Sequence, residues 1–141
     1  MDGHGEAIAV WHMRFLGFSD AVPSGCWKAK EYPTTWAQVK HAAVMYVNHP
    51  DKGIDIVSTK AVAQVKTVWS KATPQEQIQN IEGAAALKHR RKRKLFYAVS
   101  YTKDALDWAR SMKTPLFALT KSGDVVAVNN DAHELVAAVY A

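Results

Sequence analysis

Three polar side chains interrupt two short segments that are otherwise nearly continuous in apolar residues. Asp55 lies within residues 53–58 (GIDIVS), and Gln64 and Lys66 lie within residues 61–67 (AVAQVKT). Both segments are rich in β-branched residues, which predicts buried strands. Only two residues separate the segments, and that spacing predicts an antiparallel hairpin.

The predicted hairpin would bring the three polar side chains together. A two-residue connection would pair Val57 with Val62 and Asp55 with Gln64, and side chains alternate across a strand. Asp55, Gln64 and Lys66 would then lie on one face, among valines. A solvated face, a structural ion pair between Asp55 and Lys66, or a ligand site would each explain the pattern. The apolar flanks favour burial or a cleft, where an unpaired charge costs several kcal/mol.

The segment GIDIVSTKAVAQVK (53–66) resembles the core of the Mrr-type branch of the PD-(D/E)XK nucleases. In that branch a G-x-D strand precedes a strand with Q-x-K, and glutamine replaces an acid found in most of the superfamily. The resemblance covers most of the chain, since it extends to EAIAVWHMRFLGFSDA, QIQNIEGAAA and LFYAVSYTKDALDWARSMKTPLFALT. It implies a restriction endonuclease-like fold, with a mixed central sheet flanked by helices.

The resemblance also implies metal-dependent hydrolysis of DNA phosphodiester bonds. Asp55, Gln64 and the carbonyl oxygen of Val65 would bind Mg²⁺, or Mn²⁺ in its place, because these ions prefer oxygen ligands. Lys66 would position or deprotonate the attacking water and offset charge on the phosphorane.

Glu6 would complete the predicted site. The resemblance implies an acid on the first helix that holds the metal, usually through water, and Glu6 matches that position. An acid in the first turn of a helix is also favoured by the helix dipole alone. In an alternative alignment the helix at 35–48 takes this place, with Gln38 where the acid belongs. Asp55 would then be the only acidic ligand.

A run of basic residues, KHRRKRK (88–94), falls at a predicted junction between a helix and a strand. Such a run repels itself unless it meets solvent or an anion. A solvated loop would account for it, and in a nuclease we favour a sequence-independent clamp on DNA phosphates. The candidate DNA-binding residues are Lys88, Arg90, Arg91, Lys92 and Arg93.

The other histidines and tryptophans are assigned simpler roles. Four histidines lack metal-ligand spacing and are predicted to be surface or loop residues: His4, His12, His41 and His49. Four tryptophans at helix or strand positions are predicted to lie in the core: Trp11, Trp36, Trp69 and Trp108. Trp27, in a loop, is the candidate for contact with a ligand.

The rest of the sequence predicts the elements that position these residues. Apolar periodicity and capping signals predict helices over residues 6–16, 35–48, 74–88, 102–112 and from 131 onward. Residues 23–34 predict a loop, and further strands are predicted over residues 94–100, 115–120 and 124–129. Strands separated by helices pair in parallel, and strands joined by short turns pair antiparallel. The fold class is therefore α/β with a mixed central sheet.

Length and composition narrow the interpretation. The 141 residues fit one nuclease-like domain, 1–141, with a helical insertion at 22–52. A net charge of +5 favours a polyanionic partner. The single cysteine, Cys26, excludes an internal disulfide and fits a reducing compartment. Without a membrane-length apolar run or a signal peptide pattern, we expect a cytoplasmic protein that does not contact a membrane.

Together these features predict a Mg²⁺-dependent DNA endonuclease that acts in restriction or in defence against foreign DNA. Because cutting both strands of a duplex needs two sites, we expect a homodimer, and a partner subunit could supply sequence specificity. The alternatives are a catalytically inactive DNA-binding module of the same fold and a junction-resolving nuclease.

Overall fold

The structure is a computed structural model that describes residues 3–46, 53–86 and 88–141. The helices are α1 (His4–Phe15), α2 (Ser24–Ala29), α3 (Trp36–Tyr46), α4 (Gln75–Ala85), α5 (Lys103–Met112) and α6 (Asn130–Val139). The strands are β1 (Val22–Pro23), β2 (Ile56–Val57), β3 (Ala61–Lys66), β4 (Arg93–Ala98), β5 (Leu116–Leu119) and β6 (Val125–Ala127).

The six strands form one open mixed sheet in the order β1-β2-β3-β4-β5-β6. Strands β3, β4 and β5 are parallel, and the pairs at either side of them are antiparallel. Helices α4 and α5 make the crossovers between the parallel strands, as such connections require. The predicted α/β class with a mixed sheet is therefore confirmed.

Helices cover both faces of the sheet. On one face, α1 packs against Ala63 and Val65 of β3 and against Tyr97 of β4. On the other face, α4 places Ile81 against Val62 of β3. The alternation of β3 therefore directs Val62, and with it Gln64 and Lys66, toward the side that α4 covers.

The described part of the predicted helical insertion is not wholly helical. Val22–Pro23 forms β1, which pairs antiparallel with β2, and Ser24–Ala29 forms α2 in place of the predicted loop. Pro23 fits here because an edge strand tolerates a residue that lacks an N–H donor. Residues 47–52 of the predicted insertion lie outside the described residues.

Helix α3 begins with the capping box that the sequence predicts. The hydroxyl of Thr35 accepts a hydrogen bond from the N–H of Gln38 at 3.1 Å. Gln38 Oε1 in turn accepts from the N–H of Thr35 at 3.1 Å. This reciprocal arrangement satisfies two backbone donors at the helix start.

Among the residues that the structure describes, no helix combines the length and the apolar character that crossing a membrane requires.

Candidate functional site

The hairpin of β2 and β3 has the predicted register. Val57 pairs with Val62, and Ile56 pairs with Ala63. Gln64 and Lys66 follow on the Val62 face of β3 by simple alternation. Two of the three predicted site residues thus share one face at the C-terminal end of β3.

The carboxylate of Asp55 lies against the backbone of β3. Its Oδ2 accepts a hydrogen bond from the N–H of Val65 at 2.7 Å. Val65 stands between Gln64 and Lys66, so the carboxylate reaches the segment that bears both side chains. The structure brings the three residues together, but Asp55 is directed at the β3 backbone and does not simply stand beside Gln64 on one face.

A break in strand alternation explains this difference. Ile54 packs with Val62 on the α4 side, whereas Ile56, two residues later, packs in the cluster under α1. Gly53 just before the break has a φ of +92°, which glycine adopts at no steric cost. The predicted strand over 53–58 is therefore limited to Ile56–Val57, and Asp55 precedes it.

The amide of Gln64 is buried and incompletely hydrogen-bonded. The residue is 3% exposed, and its Oε1 has no hydrogen-bond partner within the part of the chain that the structure describes. Gly53 lies close by, since a Cβ at that position would be 3.6 Å from Gln64 Nε2. A buried acceptor without a partner costs about 1 to 3 kcal/mol. Such an acceptor is suited to a ligand that supplies the missing contact.

Gln64 and Lys66 line a groove of about 530 Å³ between β3 and α4. Its other walls are Gly53 and residues of α4, and we call it the Gln64 groove: Gly53, Gln64, Lys66, Gln79, Asn80, Gly83 and Ala84. The sequence reasoning missed Gln79 and Asn80. The helical period of α4 could have indicated them, because the buried Ile78 and Ile81 flank these two polar amides.

The first turn of α1 lies beside the end of β3. Gly5 is buried there, and a Cβ at this position would clash with the side chain of Thr67 and lie 3.5 Å from Val65 Cγ1. Glu6 is the next residue and is half-buried. The structure therefore places the backbone of Glu6 next to the strand that bears Gln64 and Lys66.

Gln38, the alternative to Glu6, has a structural role on the surface. Its Oε1 accepts hydrogen bonds from the backbone N–H groups of Thr34 and Thr35 at 3.0 and 3.1 Å. The side chain is exposed and caps α3. These contacts favour the alignment in which α1 supplies the acid.

The basic run lies at the opposite end of β3. Arg93 begins β4 and pairs with Ala61, the first residue of β3. Cations and apolar residues line a groove of about 960 Å³ there, and all of these cations except the half-buried Lys92 are exposed. We call it the basic groove: Leu16, Phe18, Thr59, Lys60, Lys88, Arg90, Arg91, Lys92, Arg93 and Leu135. It is separated from Lys66 by the length of the strand.

Lys92 differs from the other predicted DNA-binding residues because its ammonium is used inside the fold. Nζ donates to the carbonyl oxygen of Ser58 at 2.7 Å and lies 4.6 Å from the ring centroid of Trp27. Burial lowers the pKa of Lys92, and the carboxylate of Asp20 opposes that change. Trp27, predicted to contact a ligand, is half-buried and packs under this cation.

Two groups of aromatic residues depart from their predicted environments. His12, predicted at the surface, is half-buried, and its Nδ1 is 2.8 Å from the hydroxyl of Tyr97. Burial lowers the pKa of His12 from 6.5 to about 4. Three tryptophans predicted in the core are exposed because they lie at the rim of the helices and at a strand end: Trp11, Trp36 and Trp69. His49 lies outside the described residues.

Within the described ranges, His, Cys, Asp and Glu side chains do not gather in groups of three or more that could hold a metal ion. The donors around β3 are instead a carboxylate and an amide oxygen. Comparisons with protein-family models, with curated proteins and with solved structures find no match to this chain.

Proposed function

We propose that this protein is a metal-dependent DNA endonuclease of the PD-(D/E)XK type. The observation that supports the proposal best is the buried Oε1 of Gln64, which has no hydrogen-bond partner among the described residues. The Asp55 carboxylate lies on the backbone of the next residue, Val65, at 2.7 Å. Lys66 follows in the same groove. An acid, an amide and an ammonium thus converge on three consecutive residues of one strand.

The order of elements agrees with the fold that the sequence resemblance implies. A helix with an acid in its first turn precedes a hairpin with G-x-D and Q-x-K, then a helix and a parallel strand. The hairpin and the parallel strand are neighbours in one mixed sheet. This agreement favours a restriction endonuclease-like fold.

The residues present fit a divalent metal ion. Asp55 and Gln64 offer oxygen atoms, which Mg²⁺ and Mn²⁺ prefer over nitrogen or sulfur, and the open amide oxygen is an acceptor of the required kind. Val65 would contribute its carbonyl oxygen and Glu6 its carboxylate through water. When bound, the ion would supply Lewis acidity toward water and toward a phosphoryl oxygen.

Lys66 would supply the positive charge that the reaction needs. Its ammonium lies on the same strand face as Gln64 and is half-buried in the groove. It would hold the attacking water by a hydrogen bond and offset the negative charge that develops on the phosphate. If it gives up its own proton first, the neutral amine would serve as the general base.

DNA would reach both ends of β3. Five residue steps separate Ala61 from Lys66, which corresponds to about 17 Å of extended strand and to about five nucleotide steps of a DNA strand. The cations of the basic groove would therefore contact phosphates several steps away from the scissile bond. A homodimer would supply the second site for duplex cleavage, and restriction or defence against foreign DNA is the proposed context.

The proposal is tested by nicking of supercoiled plasmid in a titration with Mg²⁺, using wild type, Asp55→Asn and Asp20→Asn. Asparagine at 55 can still accept the hydrogen bond from Val65, so the fold is preserved while the charge is lost. Asp20 is a matched control, because its carboxylate accepts from the backbone N–H of Thr59 on the same hairpin.

We expect Asp55→Asn to lose at least about 100-fold in cleavage rate while DNA binding, measured by fluorescence anisotropy, persists. Asp20→Asn should cleave as wild type does. Equal cleavage by Asp55→Asn and wild type would overturn the proposed site. Metal-independent binding without any nicking by wild type would instead identify a DNA-binding module of the same fold.

A further inference from the structure

A second groove lies on the face of the sheet that α1 covers. Its walls are α1, the start of α3 and the turn between β5 and β6, and its volume is about 540 Å³. We call it the aromatic groove, after the side chains that dominate its lining: Trp11, His12, Phe15 and Trp36. This volume is sufficient for a small planar ligand.

The aromatic side chains of this region are unusually exposed. Trp11 is 44% exposed and Trp36 is 37% exposed, and their rings meet edge to face with centroids 5.7 Å apart. Trp69, three residues beyond the end of β3, is 49% exposed. The exposed, contacting rings of Trp11 and Trp36 form the kind of apolar surface that marks an interaction site.

Each of these three tryptophans has a cation over its ring. Lys40 Nζ lies 5.9 Å from the centroid of Trp36, and Lys121 Nζ lies 5.7 Å from that of Trp69. Arg14 lies 5.9 Å from the ring of Trp11. Cation–π pairs of significant energy occur about once per 70 to 80 residues in proteins. Three exposed tryptophan rings here therefore have a cation beside them, and two of these rings, Trp11 and Trp36, are in contact.

The cations differ in what they can offer a ligand. Arg14 donates to the carbonyl oxygens of Ala21 and Pro33 at 3.0 and 2.7 Å, so it holds the end of α1 in place. Lys40 and Lys121 are exposed. Of the acidic residues, Asp124 lines the groove, and its carboxylate accepts a hydrogen bond from the hydroxyl of Ser122.

The aromatic groove is connected to the edge of the sheet where Lys66 lies. Lys121 follows β5, and Trp69 follows β3, so both leave the same edge of the parallel strands. The next residues of that turn, Ser122 and Gly123, line the aromatic groove. The Trp69–Lys121 pair thus lies at the C-terminal edge of the parallel strands, where the chain continues into the lining of the aromatic groove.

We propose that the aromatic groove and the Trp69–Lys121 pair bind an unpaired stretch of DNA. Its bases stack on the exposed tryptophan rings, and its phosphates lie near Lys40 and Lys121, since single-strand binding combines aromatic platforms with cations along the backbone. The inference rests on the proposed function in taking DNA as the polymer and the Gln64 groove as the place of cleavage. It adds that the substrate has a single-stranded segment next to the cleaved bond.

The test measures binding of a fluorescein-labelled 20-nucleotide oligothymidylate and of a 20-base-pair duplex by anisotropy, in EDTA. All variants are made in the Asp55→Asn background protein, so that cleavage does not affect the binding measurement. The proposed nuclease site is tested separately, by plasmid nicking. The variants are Trp36→Ala and Trp69→Ala, with Trp36→Phe and Trp69→Phe as conservative replacements. Tyr32→Ala is the matched control, because Tyr32 is 48% exposed and lies outside the aromatic groove.

We expect each alanine variant to bind oligothymidylate about 5- to 100-fold more weakly, while its affinity for the duplex changes less than about twofold. The phenylalanine variants and Tyr32→Ala should stay close to the background protein. Circular dichroism checks that the variants are folded. Unchanged oligothymidylate affinity, or an equal loss on the duplex, would overturn the proposal. A background protein that is dimeric in sedimentation and becomes monomeric in Trp36→Ala would also overturn it, since the groove would then be a protein interface.

Discussion

The two ends of β3 use their polar residues differently. At its start, Ser58 Oγ exchanges hydrogen bonds with the backbone of Ala61, and Asp20 accepts from both the N–H and the hydroxyl of Thr59. At its end, Gln64 Oε1 is without a partner among the described residues, and Lys66 faces a groove. Internal hydrogen bonds stabilise the turn, whereas an open acceptor costs free energy until a ligand binds it. This contrast is the reason for placing the proposed site at the end of β3.

The strongest test of this contrast compares one lysine from each end. Lys66→Ala should lower the rate of plasmid cleavage at saturating Mg²⁺ by about 100-fold or more, because it removes the cation that positions or activates water. Lys60→Ala, in the turn before β3, should weaken DNA binding because Lys60 lines the basic groove, but at saturating DNA it should change the rate less than about threefold. Equal losses in the two variants would show that the lysines act only through general attraction of DNA.

The approach of α1 to the end of β3 depends on Gly5. Gly5→Ala should lower the free energy of unfolding by about 1 to 3 kcal/mol, because the new methyl group would clash with the side chain of Thr67. Gly83→Ala, on α4 at the wall of the Gln64 groove, has nothing within 4 Å of its Cβ and should stabilise the protein by about 0.5 to 1 kcal/mol. Urea denaturation measures both changes. A neutral Gly5→Ala would mean that α1 tolerates a larger separation from the strand.

The hairpin register could be predicted from the sequence, and the direction of Asp55 could not. Val57 and Val62 pair as predicted because a two-residue connection and alternating apolar residues leave few registers. The direction of the Asp55 carboxylate depends on the positive φ of Gly53 and on the break in strand alternation before β2. Neither feature produces a periodic pattern in the sequence. The same applies to β1 and α2, since a two-residue strand and a six-residue helix are too short for periodicity to detect.

The exposure of individual side chains also could not be predicted from the sequence. Helical spacing indicates which face of α1 is apolar, but Trp11 lies at the margin of that face and is exposed. His12, at the next position, is turned inward and meets the hydroxyl of Tyr97 at 2.8 Å. One residue of rotation about the helix axis separates these two environments, which is finer than an apolar pattern can resolve.

A polar pair between α1 and β4, His12 with Tyr97, extends the comparison to the dependence of stability on pH. The pKa of His12 is about 4 in the folded protein and 6.5 in its ordinary state. The unfolded chain therefore binds the extra proton between these values, so stability is complete above pH 6.5 and falls toward pH 4. We expect a loss of about 2 kcal/mol from this group, reduced for partial exposure.

Urea denaturation at several pH values would measure this loss. His12→Gln should flatten the decrease between pH 6.5 and 4, since glutamine at position 12 carries no titrating group. His41→Gln is the control, because His41 is exposed on α3. Parallel pH profiles for wild type and His12→Gln would show that the folded protein accepts the proton on His12 without penalty.

The basic groove offers a test of what the start of β3 contributes. Replacing Arg90, Arg91 and Arg93 by alanine should weaken duplex binding about tenfold or more at moderate salt, without sequence preference. The salt slope should decrease by up to about 0.9 for each lost phosphate contact. Lys92→Ala should instead lower stability, because its ammonium bonds to Ser58 and lies over Trp27. An unchanged salt slope in the triple variant would identify the run as a solvated loop.

The smallest expected change distinguishes a ligand-binding amide from a structural one. Gln64 and Ser58 are buried polar residues of the same hairpin, but the hydroxyl of Ser58 is hydrogen-bonded and Gln64 Oε1 is not, within the described residues. Ser58→Ala leaves the buried N–H of Ala61 without its hydroxyl acceptor, so it should lower the free energy of unfolding by about 1 to 3 kcal/mol. Gln64→Leu removes an unsatisfied acceptor at similar volume, so in EDTA it should change stability by less than about 1 kcal/mol, in either direction.

The same Gln64→Leu protein should nevertheless cleave plasmid poorly and require more Mg²⁺ for half-maximal rate, because an oxygen donor has been lost. Gln64→Glu should move the Mg²⁺ requirement the other way, since a full carboxylate attracts the ion more strongly than an amide. Its added charge would also form an ion pair with the ammonium of Lys66, which lines the same groove. Stability that falls in Gln64→Leu as far as in Ser58→Ala, with an unchanged Mg²⁺ titration, would assign the amide to the core of the hairpin. Stability that is retained while the metal requirement shifts would assign it to the reaction, because only a ligand present during turnover can use an acceptor that the fold leaves open.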